Sequence, residues 1–191
     1  MSRYTILLDA NVFYAIPLCD TALRLAQRDL YALRWSRQIL DEAEKNLIET
    51  GRYDPQSIRR RFEAIRSHFE DGEVAGYEDL IDAMKCDAKD RHVLAAAVHS
   101  SANQIVTMNL RDFPEHALAP YDIEAVSPDT FFLNALDIAP RATTEVIREQ
   151  IRALRKPPLS TAEVLAALGK SGAPEFAQQM ETILAATDQD P

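Results

Sequence analysis

Three short apolar runs constrain this chain most: Tyr4–Leu8 (YTILL), Ile105–Met108 (IVTM) and Ile123–Val126 (IEAV). None shows the clean two-residue alternation of a strand with one wet face, so each reads as a strand covered on both sides. Tyr31–Arg34 (YALR) is a further candidate. Amphipathic helical stretches separate these runs. Pro17–Arg28 carries Leu18, Ala22, Leu23 and Leu25, and Ser36–Glu49 carries Ile39, Leu40, Ala43 and Leu47 behind Ser36 as N-cap. Pro55–Phe69 is arginine-rich, with Ile58, Phe62, Ile65 and Phe69 on one stripe. Ala88–Ala102 follows Asp87 as a candidate cap, and Pro128–Leu136 is short and apolar. Strands alternating with helices predict an α/β fold, with a mainly parallel sheet of about four to five strands flanked by helices.

Past Ile138 the composition turns to amphipathic helix alone. Arg141–Arg155 presents Val146, Ile147, Ile151 and Leu154, and Pro157 and Pro158 stop it. Ser160 with Glu163 forms a capping-box pattern opening a helix through Leu168, which Gly169 and Gly172 break. Pro174–Ala186 reads as a last helix with a frayed tail behind it. The expected organisation is a domain over 1–138 and a C-terminal helical extension over 139–191.

Composition narrows the function classes. No apolar run reaches the roughly 18–20 residues of a membrane span, and Met1–Leu8 lacks a signal-peptide layout. Cys19 and Cys86 stand far apart and outside any C-x-x-C, which fits a reduced, cytoplasmic setting. A net charge of -9 argues against holding nucleic acid by bulk charge, though bound cations can supply positive charge locally. With 5 glycines in the chain, neither a G-x-G-x-x-G nor a P-loop is present.

The candidate chemistry lies in carboxylates at the edges of the apolar runs. Asp9 directly follows the first strand in LLDANVFY, where open α/β sheets bind ligands, and Asn11 is placed to hydrogen-bond it. Glu42 borders the apolar stripe of its helix in ILDEAEKNL and shares a face with Asn46, whereas Asp41 is rotated about 100° away. Asp90 falls in the first turn of the next helix in CDAKDRHVLAAAV. Asn109 and Asp112 follow the second strand in VTMNLRDFP. Each has an ordinary reading alone: a turn residue, a solvated glutamate or a helix cap. Together they predict acids converging on one sheet edge, where like charges need a cation. Oxygen ligands without a compact His/Cys set favour Mg²⁺ or Mn²⁺ over zinc.

In this order, LLDANVFY, ILDEAEKNL, KDRHVLAAAV and IVTMNLRDF resemble the PIN domain over roughly Tyr4 to Leu136, most nearly the VapC toxins of bacterial toxin–antitoxin pairs. The resemblance implies metal ligation by Asp9, Glu42 and Asp90. A fourth acid often follows the next strand in that family; here Asn109 stands at that place, with Asp112 three residues on, so either can be the fourth catalytic group, Asp112 being the one able to ligate as an acid. It further implies metal-dependent hydrolysis of RNA phosphodiesters and an antitoxin partner. The amphipathic helices of the C-terminal third offer three readings: completing the domain, forming a homodimer or receiving that antitoxin. The competing classes are a non-catalytic PIN-like module binding RNA or protein, and a Mg²⁺-dependent phosphatase. The second lacks its usual second acid, since D-A-N-V stands where D-x-D is needed. Arg52, Arg59 and Arg66, within an arginine-rich segment, are the candidate RNA-binding residues; the competing reading is a solvated face paired with Glu63 and Glu70.

Overall fold

The computed structural model describes residues 4–154 and 158–187 of the chain. Pro157, expected to help stop a helix, and the tail beyond Thr187 lie outside the described residues. The chain's internal contacts gather into two compact units: Met1–Tyr14 with Tyr31–Val126, and Ala15–Leu30 with Ser127–Pro191.

The first unit begins with β1 (Thr5–Leu8) and α1 (Ala10–Tyr14). After α2 (Ile16–Gln27), which belongs to the second unit, it continues through β2 (Ala32–Ser36), α3 (Arg37–Glu49), α4 (Pro55–His68) and β3 (Glu73–Val74). It closes with α5 (Arg91–His99), β4 (Gln104–Val106), α6 (Glu115–Leu118) and β5 (Glu124–Val126). Among the described residues the strands form one five-stranded sheet in the order β3-β2-β1-β4-β5. All its pairings are parallel, with Leu7 beside Arg34 on one side and Ile105 on the other. The expected α/β architecture is therefore observed. Ile6, Leu7, Leu8, Ile105 and Val106 are buried, as continuous apolar runs require.

Local chemistry sets the helix ends. Ser36 accepts a hydrogen bond from Ile39 N at 3.3 Å, capping α3 as anticipated, and Asp54 caps α4 through Ser57 N at 2.9 Å. Gly51, at φ 65, takes the left-handed conformation just beyond α3. The helix after Asp87 departs from expectation. Its first residue is Arg91 rather than Ala88, and Asp90 occupies the N-cap position. Asp90 N donates to Asp87 O at 3.0 Å, so Asp87–Asp90 is a turn; Asp87 N is tied to Asp112 O at 3.2 Å, a contact distant in sequence.

Strand β3 was not anticipated. Gly72, just before it, lies so close to β2 that an added Cβ would meet Leu33 O at 2.8 Å and Trp35 Nε1 at 3.0 Å. The strand end at Val106 also falls short of the expected Met108, and Thr107 turns inward, fully buried.

The second unit is helical: α2, α7 (Pro128–Ile138), α8 (Pro140–Ala153), α9 (Thr161–Ser171) and α10 (Pro174–Thr187). Phe132 and Phe176 pack with ring centroids 5.3 Å apart. Thr21 donates to Gln150 Oε1 at 2.8 Å, and Gln150 Nε2 donates to Pro17 O at 3.1 Å, satisfying buried polar groups between α2 and α8. Asp129 accepts from the backbone N–H groups of Glu175 and Phe176 at the start of α10. The capping box at Ser160 and Glu163 is present. The helix it opens continues through Gly169 and ends at Gly172, where φ is 121; Gly169 therefore does not break it. Among the described residues no helix is long and apolar enough to cross a membrane.

Candidate metal centre

From β1 the chain steps outward to β2 and β3, then returns to the other side of β1 for β4 and β5. The strand order therefore reverses between β1 and β4. In such sheets the crevice outside the carboxyl ends at this switch point is where ligands bind. Asp9 and Thr107, each the residue that follows its strand, stand at that place.

Asp9 is 4% exposed and densely hydrogen-bonded. Its Oδ1 accepts from Ala10 N at 2.6 Å. Its Oδ2 accepts from Asn11 Nδ2 and from Thr107 Oγ1, both at 2.6 Å. Thr107 Oγ1 in turn accepts from Asn11 Nδ2 and Asn109 N, each at 3.0 Å, so its one proton is committed to Asp9. Asn11 Oδ1 accepts from Met108 N at 3.1 Å. Asn11 thus supports the carboxylate, as its spacing suggested, and Thr107 anchors it from the end of β4. Burial pushes the Asp9 carboxyl above its usual range, the hydrogen bonds oppose this, and the Asp112 charge adds to the rise.

Asp9, Glu42 and Asp90 line one pocket of about 440 Å³, together with Asn46, Glu49 and Lys89. Tyr14, Met108 and Asn109 also face it. Three separate elements thus deliver the expected acids: the end of β1, the middle of α3 and the start of α5. Asp41 points elsewhere, to an ion pair with Arg66 at 2.7 Å. Asp112 is not among the pocket's lining residues; Lys89 Nζ reaches its Oδ2 at 2.9 Å. Asn109, closer to the end of β4, does line the pocket.

The electrostatics are those of crowded carboxylates. Asp90 is only 13% exposed at its side chain, and its Oδ2 has no hydrogen-bond partner among the described residues. Burial, then the Asp9 charge, push its carboxyl up to about 7; Lys89 opposes this and Asp112 adds to it. Burial and Asp9 also raise Glu42, with Lys89 again opposing. His92, 5% exposed, sits with Nε2 at 3.6 Å from Glu42 Oε2, too far for a hydrogen bond. Burial holds its pKa below the usual imidazole value, which favours the neutral ring beside Glu42. Lys89 and His92 were not singled out from the sequence, although both flank Asp90 within KDRH.

The donor set suits a hard cation: all-oxygen, crowded, and with one buried carboxylate oxygen that has no hydrogen-bond partner among the described residues. Among the described residues no three His, Cys, Asp or Glu side chains already form a metal-holding group. Mg²⁺ does not require one, since it keeps several waters and is bound through one or two carboxylates.

The arginine-rich helix is less uniformly free than its sequence suggested. Arg52 and Arg59 are exposed. Arg66 bridges Asp41 at 2.7 Å and Glu44 at 2.9 Å, tying α4 to α3. Arg61 has Nε and Nη2 buried without a hydrogen-bond partner among the described residues. Arg59 borders a shallow groove with Asp41, Glu44 and Lys45.

The chain is 50% identical over 102 residues to a Mycobacterium tuberculosis protein named "Putative ribonuclease VapC50", a stretch that is 53% of this chain and 60% of that protein. The chain thus spans about three fifths of the length of the relative it matches. A family model described as the VapC50 C-terminal domain matches residues 128–182. No solved structure matches. A PIN-domain family model matches residues 5–111, from the first residue of β1 to the turn after β4, and on that match the chain belongs to the PIN-domain family.

Proposed function

We propose that this chain is a divalent-metal-dependent endoribonuclease and the toxin of a toxin–antitoxin pair, acting in the cytoplasm on RNA with Mg²⁺ or Mn²⁺. The observation that carries the reading is one pocket at the sheet's switch point, lined by Asp9, Glu42 and Asp90, in which a buried Asp90 oxygen has no hydrogen-bond partner among the described residues. The ribonuclease named among its relatives supports the substrate class. An antitoxin protein is the expected partner, with a homodimer as a further assembly.

Asp9, Glu42 and Asp90 would hold the ion, with Asp112 or Asn109 as the fourth group. Bound there, a divalent cation offsets phosphate charge and makes a water more acidic. The chain's own residues do the positioning. Thr107 and Asn11 fix Asp9 at the strand end through the 2.6 Å bonds to Oδ2. Asp90, whose carboxyl is pushed up to about 7 by burial and then by the charge of Asp9, would hold the ion as a carboxylate. The test is cleavage of single-stranded or looped RNA by the purified chain, free of any antitoxin, in Mg²⁺ or Mn²⁺ and again in EDTA. Cleavage undiminished by chelator would refute the metal reading.

Arg52, Arg59 and Arg66 remain the proposed phosphate contacts. Arg66 would have to exchange Asp41 and Glu44 for phosphate, so the larger effect is expected at exposed Arg59. Arg59→Ala should weaken RNA binding and lower the slope of log affinity against log salt by about one. Unchanged affinity and slope in a salt titration would make this helix an ordinary solvated face.

A further inference from the structure

We propose that Lys89 is the resident counter-cation of the acidic pocket: its ammonium holds the place between Asp90 and Asp112 that a divalent ion must contest, and so weakens metal binding. The inference rests on the reading of Asp9, Glu42 and Asp90 as ligands and adds a residue that is not one.

Lys89 Nζ lies 2.9 Å from Asp112 Oδ2 and 3.8 Å from Asp90 Oδ2. The second distance is an ion pair without a hydrogen bond, made to the same Asp90 oxygen that has no hydrogen-bond partner among the described residues. The ammonium also lowers the cost of charging Glu42 across the pocket it lines. It therefore does for the metal-free pocket what a cation would do, offsetting several carboxylates at once.

Backbone geometry brings the parts together. Asp112 O accepts from Asp87 N at 3.2 Å, which pins the turn after β4 against the Asp87–Asp90 turn carrying Lys89. The Lys89 side chain is 63% exposed, so it is free to swing out on its flexible stem. An ammonium and a divalent ion repel at contact distance, so the two cannot occupy this corner together. An exposed surface ion pair would have no such consequence. This one sits at the wall of a pocket whose other charges are mostly negative.

The test is Mn²⁺ titration of the full chain without RNA, followed by calorimetry and by the electron spin resonance of free Mn²⁺. Wild type is compared with Lys89→Met, Lys89→Arg and Asp90→Asn. Lys89→Met should tighten Mn²⁺ binding by about tenfold, since it removes a like charge at close range. Lys89→Arg, which keeps the charge, should stay within about threefold of wild type. Asp90→Asn should weaken binding. If Lys89→Met binds no tighter, or if Lys89→Arg tightens equally, the counter-cation role is overturned while the ligand reading stands. If wild type does not bind Mn²⁺, or Asp90→Asn binds as well as wild type, the ligand reading fails and takes this inference with it.

Discussion

Asp9→Asn is expected to lower RNA cleavage by about 10³-fold or more, mainly in kcat. The carboxylate stands at the end of β1 with both oxygens aligned by neighbours, so it is the most rigidly placed acid of the pocket. An amide carries one acceptor where the site offers donors on both sides. With its oxygen facing Ala10 N, the new NH₂ would meet Asn11 Nδ2 and Thr107 Oγ1. Thr107 has no spare acceptor capacity, because Asn11 and Asn109 N already use it. The variant should therefore also lose about 1–3 kcal/mol of stability from donors left facing donors.

That second cost makes the control part of the prediction. Cleavage is compared at a temperature where melting curves show both proteins folded, with substrate saturating. Glu42→Gln, at a more exposed side chain outside this network, separates chemistry from folding. It should lose activity while melting close to wild type. An Asp9→Asn protein that is folded and retains a tenth of wild-type cleavage would remove Asp9 from the chemistry.

How much of this was legible follows from the range of the interactions. Leu7–Asp9 could be read because a buried strand and the acid after it are adjacent in sequence. Ser36 and the box at Ser160 and Glu163 are likewise local, and both cap helices. The start of α5 was misread because D-A-K-D offers two capping aspartates, and the choice depends on Asp87 N reaching Asp112 O. Strand β3 is two residues long and owes its place to the close approach of Gly72 to β2, which no periodicity encodes. Helix α1, at five residues, is too short to display a stripe. The acids of the pocket were recognisable as an ordered set, each ambiguous singly. What could not be read was which neighbours oppose their charge. Lys89 looks in sequence like any solvated lysine, and His92 like any residue of an alanine-rich helix.

Asp90→Asn is expected to end cleavage yet raise the stability of the metal-free chain above pH 7, by about 1–2 kcal/mol. The Asp90 carboxyl is pushed from 3.8 to about 7, first by burial and then by the charge of Asp9. A folded-state pKa above the unfolded one means that the native state binds the extra proton between these values. Stability then falls as pH rises through roughly 4 to 7 and stays low beyond. The whole shift would correspond to about 4 kcal/mol, but solvent access and the favourable placement of an anion at the start of α5, worth about 0.3–1 kcal/mol, reduce it. Asparagine is neutral throughout, caps helices as well as aspartate, and sacrifices no side-chain cap bond, since Asp90 makes none. Melting in EDTA should show the variant and wild type alike near pH 4 and the variant ahead at pH 8. Saturating Mg²⁺ should then reverse the order by stabilising wild type alone, in proportion to the logarithm of ion concentration. A variant less stable than wild type at pH 8 in EDTA would show that Asp90 carries no charge penalty, and would remove the electrostatic reason for a cation in this pocket.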